Sequence, residues 1–317
     1  MNAVYCRSDF ISVQALRAEL RAARFMLGGA IMFAYRLTAP QKPPSLQEVP
    51  KPTVKPGEVL VKVAAAGVCH SDLHLVEWSA DVLKAELGAG PSNGLKEGDP
   101  VAVAGAWGCD YCRACRLSAE THCENVSTVG YSEGGPGRDG AMAGSVAVVI
   151  GVGGLGHMGV QLLKALSAAR VVALDISPEK LKFARDVGAD ETFPSDERSV
   201  KEIRDRLTRG QGAELVLDFV GSDATIALAA KLARSLGQVT VVGLAGGHIP
   251  WGFGALPFDT QLTQPYWGTT VELMEVLALA EVDRIKLHIE SYPLKDAATV
   301  YEKLKAGKIQ GRAVLVP

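Results

Sequence analysis

The chain has 317 residues, which is long enough for two domains that each bury an apolar core. It is 48% hydrophobic and 21% charged, and its formal net charge of -2 excludes the strongly basic surface that binds nucleic acid or an anionic membrane. No apolar run is long enough to span a membrane. Four of the six cysteines lie in the segment 109–123, and this clustering fits a metal site in the reducing cytoplasm better than a disulfide framework.

Residues 1–31 form a predicted N-terminal extension. Ser12–Arg24 has the charge alternation of an amphipathic helix, but Asp9 and Glu19 do not fit a targeting peptide. We expect the first domain to begin at Met32 and to extend over residues 32–144.

This first domain has a β-rich pattern. Strands are predicted at Met32–Leu37, Glu58–Ala66 and Pro100–Ala104, and the proline-containing segment 40–56 is predicted to be a connection.

Four cysteines of this domain have the spacing C-x2-C-x2-C-x7-C: Cys109, Cys112, Cys115 and Cys123. The two-residue gaps let successive thiolates turn toward one centre. Four thiolates leave no open coordination position, so the spacing predicts a structural zinc ion. An iron–sulfur cluster is the competing interpretation, and unligated thiols are the third.

From Ser145 onward, apolar strand patterns alternate with helical patterns, which predicts a doubly wound parallel sheet with helices on both faces. The predicted strands are Val146–Val152, Val171–Leu174, Glu214–Phe219 and Gln238–Gly243. The predicted helices are His157–Ala168, Glu179–Val187, Val200–Thr208 and Ala224–Ser235. This α/β domain is placed at residues 145–269. The remaining segment, 270–317, contains two predicted helices and a closing strand, at Glu272–Ala280, Leu294–Ala306 and Gly311–Val316.

Three glycines form a G-x-G-x-x-G turn after the first strand of the α/β domain. Gly151 permits the tight turn, Gly153 lets the backbone approach a pyrophosphate, and Gly156 lets helix and strand pack closely. The N-terminus of the following helix offers N–H groups to phosphates. Asp175 ends the second strand, where a carboxylate accepts hydrogen bonds from the ribose hydroxyls of NAD and repels the extra phosphate of NADP. The pattern predicts NAD binding; a glycine-rich loop of a non-nucleotide α/β protein is the alternative.

The four-cysteine lobe, the segment Gly67–His74 and the nucleotide fold together resemble the zinc-dependent alcohol dehydrogenases, a medium-chain dehydrogenase family. The likeness covers Met32–Pro317 and is greatest to bacterial NAD-dependent secondary-alcohol dehydrogenases. It implies a Rossmann domain beside a GroES-like catalytic domain, to which residues 270–317 return. It also implies a small alcohol or carbonyl substrate and a homodimer or homotetramer.

The resemblance also implies roles for single residues. Cys69 would ligate a catalytic zinc ion, and Ser71 would take the substrate's hydroxyl proton and pass it toward His74. His70 and Arg312 would meet the pyrophosphate, and Lys180 would lie beside the ribose. The cofactor residues implied are His70, Gly151, Gly153, Gly154, Leu155, Gly156, Asp175, Lys180, Val220, Gly243 and Arg312.

The chain departs from the family pattern in its catalytic domain. It has no Gly-His-Glu turn and no later Cys or Asp ligand for the catalytic zinc, and Glu77–Leu83 runs directly into Lys84–Gly90. A second omission lies at Met142–Ser145. We therefore expect an incomplete catalytic domain and consider two functions, an NAD-dependent alcohol dehydrogenase and a catalytically impaired remnant that binds NAD and zinc. A zinc-independent reductase that uses NADPH is a third possibility, which Asp175 disfavours.

Overall fold

A computed structural model of the chain describes residues 31–37, 42–51, 60–70, 72–73, 106–107, 127–128, 144–249, 252–265 and 267–317. Residues 1–30, the four clustered cysteines, Ser71, His74 and the predicted strand Pro100–Ala104 lie outside the described residues. No helix within the described ranges combines the length and the apolar character needed to cross a bilayer.

The strands, in chain order, are β1 (Ile31–Arg36), β2 (Ser45–Pro50), β3 (Ala66–Gly67), β4 (Ala106–Trp107), β5 (Ser127–Thr128), β6 (Val146–Ile150), β7 (Arg170–Asp175), β8 (Glu191–Pro194), β9 (Ala213–Asp218), β10 (Ala233–Val241), β11 (Gln261–Thr263), β12 (Ile289–Pro293) and β13 (Arg312–Val316). The α-helices are α1 (Gly156–Leu166), α2 (Pro178–Asp186), α3 (Glu197–Glu202), α4 (Asp223–Leu232), α5 (Thr270–Glu281) and α6 (Ala297–Lys305). A π-helical turn, Ile203–Leu207, extends α3, and a 3-10 turn, Leu294–Asp296, precedes α6.

The largest sheet has six strands in the order β11-β10-β9-β6-β7-β8, and every neighbouring pair is parallel. The chain runs from β6 through β7 to β8, then crosses to β9 and continues to β10 and β11. The strand order therefore reverses between β6 and β9, the switch point at whose carboxyl edge such sheets bind ligands. The predicted Rossmann arrangement is confirmed.

The central strands are apolar throughout because helices cover both faces of the sheet. Val148 and Ile150 of β6 point into a core formed with the α3 and α4 side of the sheet. Ala147 and Val149 point to the other face, where α1 and α2 pack. This double coverage explains why the strand pattern is a continuous apolar run without alternation.

Capping residues set the helix starts. Ser177 accepts a hydrogen bond from the backbone N–H of Lys180 at the start of α2, and Pro178 occupies the first turn. Asp196 caps α3 in the same way, so this helix begins three residues before the predicted Val200. The predicted helix Ala224–Ser235 ends early, at Leu232, because Ala233 already pairs with β9.

A second, smaller unit contains the C-terminal strands and part of the first domain. β13 lies between β12, which is parallel to it, and β3, which is antiparallel. α6 covers this sheet with Val300 and Leu304, and Val68 belongs to the same core. The C-terminal segment therefore joins the sheet of residues that precede the cysteine cluster.

Two predictions for the first domain were wrong. Of the predicted strand Glu58–Ala66, Leu60 to Ala65 have no strand structure, and Leu60 and Val61 are exposed. A strand needs a neighbouring strand, and none lies beside these residues within the described part of the chain. The segment 40–56, predicted as a connection, contains β2, which pairs with β1 from Ser45 opposite Arg36 to Pro50 opposite Ile31.

Candidate functional site

The glycine turn lies at the switch point of the sheet. Gly151 directly follows β6, and its backbone N–H donates to the carbonyl oxygen of Leu174 on β7 (2.7 Å). Its φ of 86° lies in the left-handed region that glycine tolerates. A β-carbon there would lie 2.5 Å from Cγ2 of Val220, which follows β9. The turn is therefore inserted between the ends of three strands.

The other two motif glycines have opposite surroundings. A β-carbon on Gly156 would lie 1.8 Å from the carbonyl oxygen of Gly151, so the start of α1 and the turn pack without room for a side chain. A β-carbon on Gly153 would have no atom within 4 Å. Gly156 is thus required by packing, whereas Gly153 faces open space. An open approach to turn N–H groups is what a pyrophosphate needs.

Asp175 lies against this turn. One carboxylate oxygen accepts the Val152 N–H at 2.8 Å, and the other accepts the Ser177 N–H at 3.0 Å. The residue is only 6% exposed. These two bonds hold the carboxylate at the carboxyl end of β7, between the glycine turn and the start of α2, which carries Lys180 in its first turn.

Val220 and Gly243 lie together on the other side of the switch point. A β-carbon on Gly243 would be 2.2 Å from the carbonyl carbon of Val220, and the Gly243 N–H donates to the Asp218 carbonyl oxygen at 3.0 Å. The side chain of Asp218 accepts the N–H groups of Val220 (2.9 Å) and Gly221 (3.0 Å). Burial raises the pKa of Asp218. This carboxylate, which the sequence analysis did not single out, fixes the loop after β9.

Arg312 joins the two sheets at the glycine turn. A β-carbon on Gly154 would lie 3.2 Å from one guanidinium nitrogen of Arg312, and a β-carbon on Gly67 would lie 3.4 Å from another. Arg312 begins β13, which pairs with β3. The β13 strand thus places a positive charge beside the turn, where an anionic group would be bound.

Cys69 lies two residues after β3, with the exposed His70 next to it. The Cys69 N–H donates to Asp72 Oδ2 at 2.9 Å, and the hydroxyl of Tyr301 on α6 donates to the same oxygen at 3.0 Å. Burial raises the pKa of Asp72 and of Tyr301. The ring of Tyr301 stacks on Tyr35 with centroids 6.0 Å apart. Neither Asp72 nor Tyr301 was assigned a role from the sequence.

His157, in the first turn of α1, was also missed. Its ring Nδ1 donates to the Gly153 carbonyl oxygen at 2.9 Å, and the residue is fully buried. The ring lies beside Phe183 and His288, with centroids 5.6 Å and 6.0 Å away. Burial lowers the pKa of His157 to about 4, so the imidazole is neutral at pH 7. The sequence signal was its place directly after the third glycine.

The described residues fit a dinucleotide but not a catalytic zinc ion. The open glycine turn, the carboxylate of Asp175 and the charge of Arg312 match the parts of NAD. For zinc, no group of three His, Cys, Asp or Glu side chains comes together within the described ranges. Cys69 is a half-buried free thiol. The four clustered cysteines lie outside these ranges, so their structural zinc stays a prediction.

Known proteins match the chain over both units. The alcohol dehydrogenase GroES-like domain matches residues 55–150, and the zinc-binding dehydrogenase domain matches residues 154–279. An alcohol dehydrogenase of Rhizobium meliloti is 32% identical over 86% of this chain and 95% of the relative. An NAD-dependent alcohol dehydrogenase of Sulfurisphaera tokodaii is 29% identical over 90% of this chain and 100% of the relative.

A solved structure and the sequence alignments indicate the same family. The alcohol dehydrogenase of Aeropyrum pernix superposes with a TM-score of 0.79 at 30% identity, covering 90% of this chain and 100% of that protein. The alignment with the Rhizobium protein extends over 335 residues although only 86% of these 317 residues take part, so the relative has internal residues that this chain lacks. The likeness nevertheless extends over nearly the whole length of each relative, and the chain belongs to the zinc-dependent alcohol dehydrogenases of the medium-chain dehydrogenase family.

Proposed function

We propose that this protein is an NAD-dependent oxidoreductase that interconverts small alcohols and their ketones or aldehydes by hydride transfer. The observation that carries the proposal is the position of Asp175. Its buried carboxylate is bonded to the glycine turn at the carboxyl edge of a sheet with dinucleotide-binding strand order. NAD, when bound, supplies the hydride acceptor.

The chain's own residues would bind and orient the cofactor. The N–H groups of the turn from Gly153 to Gly156 would meet the pyrophosphate, and Arg312, half-buried beside Gly154, would neutralise its charge. Asp175 would accept the ribose hydroxyls, with Lys180 next to it. Val220 and Gly243 would form the wall of the cleft beyond the switch point. Leu155 and His70 are further proposed contacts.

The proton path is proposed from Ser71 and His74, which follow Cys69 in the sequence. A hydroxyl followed by an imidazole would move the substrate's proton toward solvent. Asp72 accepts the Cys69 N–H and the Tyr301 hydroxyl donates to Asp72, so this pair would keep the backbone at Cys69 in place. Because the described residues do not form a catalytic zinc site, no step of this path is assigned to that metal.

A second candidate function is NAD and structural-zinc binding without turnover. Two observations favour it: the sequence has no Gly-His-Glu turn, and the Rhizobium relative has internal residues that this chain lacks. Under this hypothesis the cysteine cluster would still hold one zinc ion and the α/β unit would still bind NAD.

One set of measurements separates the two functions. The full chain is purified with zinc, its metal content is measured, and NAD-linked oxidation of small primary and secondary alcohols is assayed. The dehydrogenase predicts turnover and two zinc ions per chain, whereas the remnant predicts one zinc ion, NAD-dependent thermal stabilisation and no turnover. A chain that does not bind NAD at millimolar concentration would contradict both.

Assembly and location complete the proposal. Leu236, Phe253 and Phe258 are exposed near the edge strand β11, and the rings of the two phenylalanines lie 5.7 Å apart. We propose that this edge takes part in a homodimer or homotetramer, which light scattering on the purified chain tests. We also propose a cytoplasmic location, because a reducing compartment would suit the four clustered cysteines as metal ligands.

A further inference from the structure

Gln161 links α1, the helix that follows the glycine turn, to the C-terminal segment. It lies in the second turn of α1 and is buried. Its side-chain N–H donates to the backbone carbonyl oxygen of Lys286 at 2.9 Å, and its side-chain oxygen accepts the backbone N–H of Lys286 at 2.8 Å. The amide therefore contacts both polar groups of one distant residue, 125 positions along the chain. Such a paired contact fixes both the position and the direction of the backbone at Lys286.

The segment that is hydrogen-bonded to Gln161 also contacts Arg312. Two residues after Lys286, the carbonyl oxygen of His288 accepts the backbone N–H of Arg312 at 2.8 Å. The preceding residue, Gly311, has a φ of 71°, and a β-carbon there would lie 2.3 Å from that same oxygen. His288 and the start of β13 are thus in close contact, with no room for a side chain on Gly311.

The contacts form a path that begins on α1 and ends at the glycine turn. It runs from Gln161 through Lys286 and His288 to Arg312, whose guanidinium lies beside Gly154. Gly154 and Gln161 belong to the same continuous turn and helix. A change in the position of Lys286 along α1 would therefore move Arg312 relative to the turn.

We propose that Gln161 is a positioning residue for cofactor binding, which sets where Arg312 lies relative to the bound pyrophosphate. The inference rests on the proposed function, since it assumes that the glycine turn binds NAD. Gln161 itself does not touch the cofactor in this scheme. Its effect is confined to the diphosphate part of the ligand and depends on Arg312.

A double-mutant cycle tests both properties. ADP-ribose and adenosine are titrated calorimetrically into the full wild-type chain and into Gln161→Leu, Arg312→Leu and the double variant. We expect Gln161→Leu to weaken ADP-ribose binding about fivefold and Arg312→Leu to weaken it tenfold or more, since a charge-assisted bond is lost. In the Arg312→Leu background, the Gln161 substitution should have no further effect. Adenosine affinity should stay the same throughout.

Controls separate positioning from folding. Gln211→Leu, at an exposed glutamine outside α1, should change neither affinity. Gln161→Glu keeps the acceptor for the Lys286 N–H but loses the donor, so it should weaken ADP-ribose binding to an intermediate extent, and it replaces Gln161→Leu if that variant does not fold.

The possible failures have different meanings. Equal ADP-ribose affinity of the wild type and Gln161→Leu, or an equal loss with and without Arg312, would refute the role of Gln161 and leave the proposed function standing. A wild-type chain that binds neither NAD nor ADP-ribose would refute the proposed function and this role with it.

Discussion

Alanine substitutions at Gly156 and Gly153 should have opposite consequences. In Gly156→Ala the new methyl group would lie 1.8 Å from the Gly151 carbonyl oxygen and 2.9 Å from its carbon, so the turn must open. Overpacking costs about 1–3 kcal/mol, and backbone yields less readily than a side chain, so we expect about 3 kcal/mol. For a chain of this size that lowers the melting temperature by about 4–5 °C.

Gly153→Ala should leave folding intact but weaken NAD binding. No atom lies within 4 Å of the added methyl group, so the free energy of unfolding should change by less than about 0.5 kcal/mol. The methyl group would nevertheless occupy the approach to the turn N–H groups, and we expect NAD affinity to fall about tenfold or more.

Thermal unfolding and NAD titration of the same samples measure both effects. Gly252→Ala is the matched control, because a β-carbon there also has open space but lies outside the turn, and both measurements should match the wild type. A Gly156→Ala protein with the wild-type melting temperature would refute the packing argument. A Gly153→Ala protein with wild-type NAD affinity would refute the placement of the pyrophosphate.

Three further substitutions test other parts of the site. Asp175→Ser removes the carboxylate beside the turn, so calorimetry should show a larger loss of affinity for NAD than for NADP; equal losses would remove its assigned role. The pKa of His157 is lowered from 6.5 to about 4 by burial, so the unfolded state takes up the proton first as pH falls, and about 3 kcal/mol of stability should be lost between pH 6.5 and 4. In urea unfolding, the His157→Phe variant should lose less stability than the wild type over that pH range. A pH profile equal to that of the wild type would contradict the assignment of this loss to His157. Tyr301→Phe deletes the hydroxyl that donates to Asp72 and should cost about 1–3 kcal/mol in urea unfolding, whereas Tyr292→Phe, whose hydroxyl bonds a carboxylate in a more exposed place, should cost about 1 kcal/mol or less; equal costs would argue against the Asp72 contact.

The α/β unit was predictable because its signals are local. Each of its main features can be recognised from a few consecutive residues: the apolar runs of β6 and β7 and the glycine turn between them. Every predicted strand of this unit was found. The two edge strands, β8 and β11, were not predicted. Two helix ends were also wrong: α3 starts at the Asp196 cap before its apolar pattern begins, and the pairing of Ala233 shortens α4. The first of these ends is set by a polar cap outside the apolar pattern, and the second by pairing with another strand, which is not a local signal.

The long-range contacts of the site could not be predicted in the same way. Tyr301 meets Asp72 across 229 positions, and Gln161 meets Lys286 across 125. Neither pair has a pattern in its own neighbourhood, since a tyrosine or glutamine on a helix is usually a surface or packing residue. Arg312 was assigned only through the family resemblance; its guanidinium lies beside Gly154, and its contact with the pyrophosphate stays a prediction.

The first domain illustrates why strand prediction depends on partners. The run Leu60–Ala65 is as apolar as a strand, yet within the described residues it has no neighbouring strand and leaves Leu60 and Val61 exposed. β2 has polar residues at three of its six positions and ends in a proline, yet it is a strand because β1 lies beside it. The strands of the α/β unit do not depend on partners from the first domain, since each of them pairs with other strands of the same unit. NAD binding should therefore be the property least sensitive to residues missing from the catalytic domain, and turnover the property most sensitive to them.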